Sequence, residues 1–209
     1  MRAAISEDLS IIATKDGFVF ADSDAPLDDG WANIAAGLKY NLWKDVASQR
    51  ILSAGVTFEL PTGTPRALQG RGDGIFDLFL TGGTQLGNYS HAISAAGFLL
   101  PTDRTANSSL FYWSNHFDTE LVDNFYGFLE FNWYHWMGSG DGGIPGVEGL
   151  DFFNLGSSGV SGNDIVTGAF GIKVKPTVLQ EVGVAWEFPL TERRDVIDNR
   201  LTADWIIRY

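Results

Sequence analysis

The chain has no cysteine, only two methionines and three histidines, and seven prolines in 209 residues. Without cysteine it forms neither disulfides nor a thiolate metal site, though this fits any compartment, periplasm and outer membrane included. Cations are scarce as well: 14 Lys and Arg stand against 26 Asp and Glu, a formal net charge of −12. Such a field repels phosphate backbones and argues against nucleic acid as a partner. No apolar run reaches 18 residues, so a helical membrane span is excluded. The opening "MRAAISEDLS" has no apolar stretch of the kind a secretory signal carries. Helical periodicity is weak throughout.

Glycine (25 residues) and aromatics (13%) are abundant, and charged residues (19%) run low. This composition suits an all-β protein with many turns and large side chains on pleated surfaces. Period-2 alternation recurs almost without a break. Residues 31–43 oppose Ile34, Leu38, Tyr40 and Leu42 to Asn33, Lys39 and Asn41. Residues 48–60 oppose Leu52, Val56 and Phe58 to Ser53, Thr57 and Glu59. The pattern repeats over 73–85, 108–120, 124–137, 165–175, 177–188 and 200–209, and more noisily over 9–20 and 88–99. With a partial strand near 2–6, eleven strands are expected. They run to about 10–13 residues, whereas soluble strands average about 5 or 6 and a tilted membrane strand needs about 9–11. The expected fold is therefore a transmembrane antiparallel up-and-down β-barrel forming one domain over 1–209. Single-chain bacterial barrels have even strand numbers, so twelve strands are expected, the first lying outside the chain given.

Three segments, "AAGLKYNLW" (35–43), "SAGVTFELPTGTP" (53–65) and "DLFLTGG" (77–83), resemble the bacterial outer-membrane family associated with meta-pathway phenol degradation. The resemblance covers residues 31–209 in strand order, with "LPTG" its most specific part. It implies an outer-membrane location, a twelve-stranded barrel and passage of small, often aromatic, organic molecules. It also implies a periplasmic C-terminus. The connections near 6–9, 43–48, 85–88, 119–123 and 174–177 are then periplasmic and short. Those near 21–30, 61–72, 100–107, 138–163 and 189–197 are external and longer, the asymmetry of outer-membrane barrels. In such proteins a terminal strand ending on an aromatic, here Tyr209, is read by the barrel-assembly machinery.

The alternation assigns Lys39, Glu59, Asp77, Tyr112, His116, Glu130, Asn132, Lys173, Glu181 and Asp204 to an inward, lumen-lining face along a solute path. Charges of both signs there suggest a hydrated or salt-bridged interior. Trp31, Trp43, Trp133, Trp136, Trp205 and Tyr209 lie near strand ends, as an interface aromatic girdle requires. Loop 138–162 is long enough to fold inward as a plug, and its apolar "LDFFNLG" (150–156) is a candidate gate. Membrane lipid, assembly machinery and a small organic solute are the expected partners; no cofactor or metal is.

Three motifs invite sharper chemistry. "GSGDGG" (138–143) spells a dinucleotide-loop pattern through Gly138, Gly140 and Gly143, but "IPGVEGLDFF" follows where a helix should begin, so a loop is the reading. Ser114, His116 and Asp118 share a face, as a barrel phospholipase's relay would require. Alternate strand residues stand about 6.6 Å apart, however, and this face points inward, so polar lining is favoured. Asp22, Asp24, Asp28 and Asp29 could gather calcium, but their spacing does not fit an EF-hand loop and a solvated acidic loop is favoured. No catalytic residue is assigned. A passive channel is the leading reading; a lipid-acting barrel enzyme, a soluble lipocalin-like binder and a structural envelope barrel are the alternatives.

Overall fold

A computed structural model describes residues 1–22 and 27–208. Eleven strands form one antiparallel sheet in chain order: β1 (Arg2–Ala4), β2 (Leu9–Lys15), β5 (Ile34–Asp45), β6 (Arg50–Leu60), β7 (Ile75–Leu86), β8 (Ser90–Pro101), β9 (Ser109–Val122), β10 (Phe125–Gly138), β11 (Asp164–Thr177), β12 (Gln180–Pro189) and β13 (Arg200–Ile207). Two short strands, β3 (Phe18–Val19) and β4 (Gly30–Trp31), make a separate ribbon between β2 and β5. The described residues contain no α-helix, only a 3₁₀ turn at Pro65–Ala67.

The alternation sets the sheet's two faces, and their burial is opposite to that of a soluble protein. On the polar face Ser53, Thr57, Asp118, Thr167, Glu181 and Glu187 are at most 7% exposed. Their sequence neighbours point the other way and are open: Leu52 40%, Val56 38%, Phe117 43%, Val182 41%, Trp186 45%. The polar face is termed inner here and the apolar face outer. An ordinary core would bury the apolar set, because about 25 cal/mol is gained for each Å² removed from water.

Turn lengths sort by rim. Residues 5–8, 46–49, 87–89, 123–124 and 178–179 close one rim tightly. Residues 16–33, 61–74, 102–108, 139–163 and 190–199 span the other.

Segment 139–163 lies across the inner face at the long-loop rim. Leu150 and Val160 pack with Leu110, Tyr134, Trp136, Ile165 and Ile197 in the protein's one cluster of buried apolar side chains among the described residues. Polar bonds fix the segment on every side. Asn154 and Ser108 exchange two hydrogen bonds of 2.7 Å. Arg71 donates to the Leu155 carbonyl at 2.7 Å. Arg193 pairs with buried Glu148 at 2.8 Å, and Asp195 accepts from the Glu148 and Gly149 amides.

Three details differ from the expected pattern. The strand expected over 9–20 ends at Lys15, because Gly17 (φ +118°) turns the chain into the ribbon. The strand expected from residue 31 starts at Ile34. There the Asn33 side chain accepts from the Gly63 and Gly70 amides, each at 2.9 Å, and donates to Glu59 at 2.7 Å, taking backbone groups a ladder would use. A Cβ on Gly63 would lie 2.5 Å from the Gln69 Cβ, 2.7 Å from the Trp31 carbonyl and 2.8 Å from the Asn33 oxygen, so the "LPTG" glycine leaves no room for a side chain. A bulge between Asn41 and Trp43 then leaves both Leu42 and Trp43 exposed, where strict alternation would turn one of them inward.

Candidate functional site

The inner face carries two charged bands, one near each rim, with a cavity beneath segment 139–163.

The band toward the short-turn rim centres on Asp118 of β9. Its carboxylate receives His91 Nδ1 at 2.7 Å, Lys173 Nζ at 2.8 Å and His116 Nε2 at 3.3 Å. His116 Nδ1 meets Glu130 at 2.7 Å. Lys173 continues to Glu181 at 3.8 Å, and Glu181 to Arg208 at 3.1 Å. Tyr126 offers its ring to Lys175 at 4.3 Å. Strands β8 to β12 are thus joined side to side by alternating charges, in line with side chains too enclosed to be left unpaired.

The second band lies at the long-loop rim. Lys15 binds Glu59 at 2.8 Å. Arg200 of β13 donates through Nε to Glu187 at 2.8 Å and reaches Asp151 at 2.9 Å. Glu187 also takes the Thr167 hydroxyl at 2.5 Å. Phe152 connects two strands far apart in the sheet order. Its carbonyl accepts from Lys15 of β2 at 3.4 Å, and its ring lies 4.6 Å under the Arg200 guanidinium of β13. The wall between them curls enough for one side chain's neighbourhood to reach both.

A cavity of about 270 Å³ lies beneath this segment, lined from β2, β5, β6, β7, β8, β9 and β10 and by Asp151. Asp77 is on its wall, held by the Tyr112 hydroxyl at 3.0 and 3.2 Å. Tyr112 reaches Asp77 by lying across β8 at Gly97, where a Cβ would come within 2.6 Å of the hydroxyl. Phe79 occupies the space over Gly55 in the same way, and Phe128 that over Gly171. These aromatic–glycine pairs are invisible to an alternation count, since glycine scores as neither face; the cross-strand register is needed to see them.

All ten residues expected on the inner face lie on it. Glu59, Asp77, Tyr112, His116, Glu130, Lys173 and Glu181 join the contacts above, and Asn132 bonds Thr167 at 3.3 Å. Lys39 sits between Ser10 and Gly55 in the register. Asp204 faces Gly183 on edge strand β13 and is exposed.

The aromatic set divides. Trp43 (50% exposed) and Trp205 (65%) lie on the outer face toward the short-turn rim. Trp133 lies on that face toward the other rim, bonded to Asp164 at 2.7 Å. Trp31 is exposed on the β3–β4 ribbon, edge-on to Phe18. Trp136 is a correction: it is 1% exposed, because period 2 puts it with Tyr134 on the inner face, where segment 139–163 covers it. Tyr209 lies outside the described residues. The outer band at the long-loop rim is instead built largely from phenylalanines. Phe58 meets Phe76 at 4.6 Å, Phe98 meets Phe111 at 5.2 Å, and Phe111 meets Trp133 at 5.5 Å.

The sharper motifs resolve locally. "GSGDGG" leads into loop, with Gly143 at φ +67° and no helix following. Both nitrogens of His116 are taken by Glu130 and Asp118, so no relay to Ser114 forms, while Ser114 lines the cavity. Among the acidic loop residues, Asp29 accepts from the Ala21 amide at 2.8 Å and Asp28 lies 3.9 Å from Arg66. Asp24 is outside the described residues. Neither a protein-family model nor a curated protein sequence matches the chain.

Proposed function

We propose that the chain is a bacterial outer-membrane β-barrel acting as a passive, porin-like channel for small organic solutes. The observation that carries this reading is the inverted burial of adjacent residues, as at Trp186 (45% exposed) and Glu187 (5%). In water, an outer face bearing Leu38, Val56, Leu80, Phe131 and Ile172 at 38–52% exposure forms an apolar surface far beyond the few hundred Å² of a typical monomer. In lipid it is the favoured surface, and every strand of the sheet between β1 and β13 is hydrogen-bonded to a neighbour on both sides.

Closure is the finer part of the proposal. Eleven antiparallel strands leave β1 and β13 running the same way, so direct pairing would be parallel. One further strand between them would keep every pair antiparallel. The curl that brings β2 and β13 to Phe152 supports edges close enough for this. The C-terminal strand would be the element the assembly machinery reads, and membrane lipid the solvent of the outer face.

Transport would be diffusion along the mixed-charge inner face, selected by width and lining residues. Segment 139–163 narrows the path at the external rim. The test is reconstitution. The protein should partition into detergent, and removing residues 140–160 should raise solute flux into liposomes several-fold. Retention in detergent-free solution would sink the membrane reading. Absent flux in both forms would leave a structural barrel.

A further inference from the structure

We propose that the cavity beneath segment 139–163 is a binding site for a small organic cation, one aromatic ring or its equivalent carrying a protonated amine, with Asp77 as the counter-charge. The inference deepens the channel reading by naming a solute class, but binding itself requires only the cavity.

Charge on the cavity wall carries the argument. Besides two tyrosines, four carboxylate and ammonium side chains line it: Lys15, Glu59, Asp77 and Asp151. Lys15 and Glu59 neutralise each other at 2.8 Å, and Asp151 is bound by Arg200 at 2.9 Å. Asp77 is different. Among the described residues its hydrogen-bond donor is the neutral Tyr112 hydroxyl, which spans both carboxylate oxygens, and it makes no ion pair. Elsewhere on the inner face Asp118, Glu130, Glu181 and Glu187 each lie against a basic side chain. A carboxylate withdrawn from bulk water without a cation is costly, and a bound ammonium would offset that cost.

Shape selects the rest of the molecule. In the register Asp77 stands between Thr57 and Leu99, and beyond them Ala35, Ile75, Leu110 and Tyr134, each at most 8% exposed, give the lining an apolar part. At about 270 Å³ the space exceeds the roughly 150 Å³ cavity known to admit benzene. Tyr112, its hydroxyl end over Gly97, lines the same space and adds an aromatic ring to it. An anion would meet Asp77 while Lys15, the base in the lining, is already held by Glu59, and a neutral ring would leave the Asp77 carboxylate without a counter-charge.

The test is calorimetric titration of the full chain in detergent with benzylammonium, benzyl alcohol and benzoate. Saturable binding of benzylammonium, at least tenfold tighter than the other two, is expected. Asp77→Asn should weaken it at least tenfold. Leu99→Trp, which fills the cavity and keeps the carboxylate, should abolish it, near-UV circular dichroism establishing that both variants fold. Equal affinity for benzoate, an unchanged Asp77→Asn, an unchanged Leu99→Trp or no binding at all would each overturn the site. Binding without flux in liposomes would count against the channel and leave the site standing. Flux of neutral solutes without cation binding would do the reverse.

Discussion

Arg200 and Asp151 are 49 positions apart in the chain and share three hydrogen bonds of 2.9–3.2 Å, tying the last strand to the middle of the segment that covers the cavity. Arg200 also holds Glu187, which is 5% exposed, so its two carboxylates are not equivalent partners.

Removing each side of this link should therefore have different effects. Asp151→Ala breaks a partly exposed pair and should cost under about 1 kcal/mol, while loosening the segment and raising flux. Arg200→Ala strands buried Glu187 and should cost about 3–5 kcal/mol. Guanidinium unfolding of both variants in lipid vesicles, read alongside flux, checks the order; a reversed ranking would contradict the assignment of Arg200 to Glu187.

The outer face should resist charge as lipid-facing strands do. Leu80, midway along β7, is 52% exposed. Leu80→Arg should cost about 2–4 kcal/mol in a bilayer, where in water an exposed leucine would accept arginine at little cost. Unfolding from vesicles measures the difference.

Asp118 should behave as a keystone. With His91, His116 and Lys173 converging on it, Asp118→Asn leaves Lys173 without its nearest counter-charge and should cost about 3 kcal/mol or more. Adding Lys173→Met should recover much of that loss, because the stranded charge is then gone. If the double variant is as unstable as the single, the coupling is absent.

Docking of segment 139–163 should tighten in acid. Burial, the nearby Glu148 carboxylate adding to it, holds the Asp195 carboxyl above the usual aspartate range, while the Glu148 and Gly149 amides and the Leu150 amide oppose the shift. A raised carboxyl favours the folded arrangement below its ordinary value, about 4, and that contribution fades as pH rises through the folded value. Arg193, paired with Glu148, faces the same junction. Flux should thus be lower at mildly acidic pH than at neutral pH, and Asp195→Asn should flatten the difference.

Most of the sheet was legible because alternation is a local signal. From Ser53, Thr57 and Glu59 against Leu52, Val56 and Phe58, the faces of β6 follow without tertiary information, and the same rule yields eleven strands and the short and long rims. What was illegible depends on other strands or on loops. Trp136 reads as one more terminal aromatic until segment 139–163 covers it. Trp43 escapes strict alternation through a bulge set by its register with β6. The contact of Tyr112 with Asp77 spans 35 positions and depends on Gly97 of an intervening strand, which no pattern within β7 or β9 reveals.

The odd strand count has a geometric outcome for the two ends of the described chain. Met1 bonds to Ala13, near the end of β2 that leads to the long loops, and Arg208 donates to the Leu179 carbonyl at the tightest class of turn. The ends therefore sit toward opposite rims. Fluorophores attached at residues 2 and 207 would report from the two sides of any layer that this sheet crosses, so one preparation could reveal its insertion direction with a single impermeant quencher.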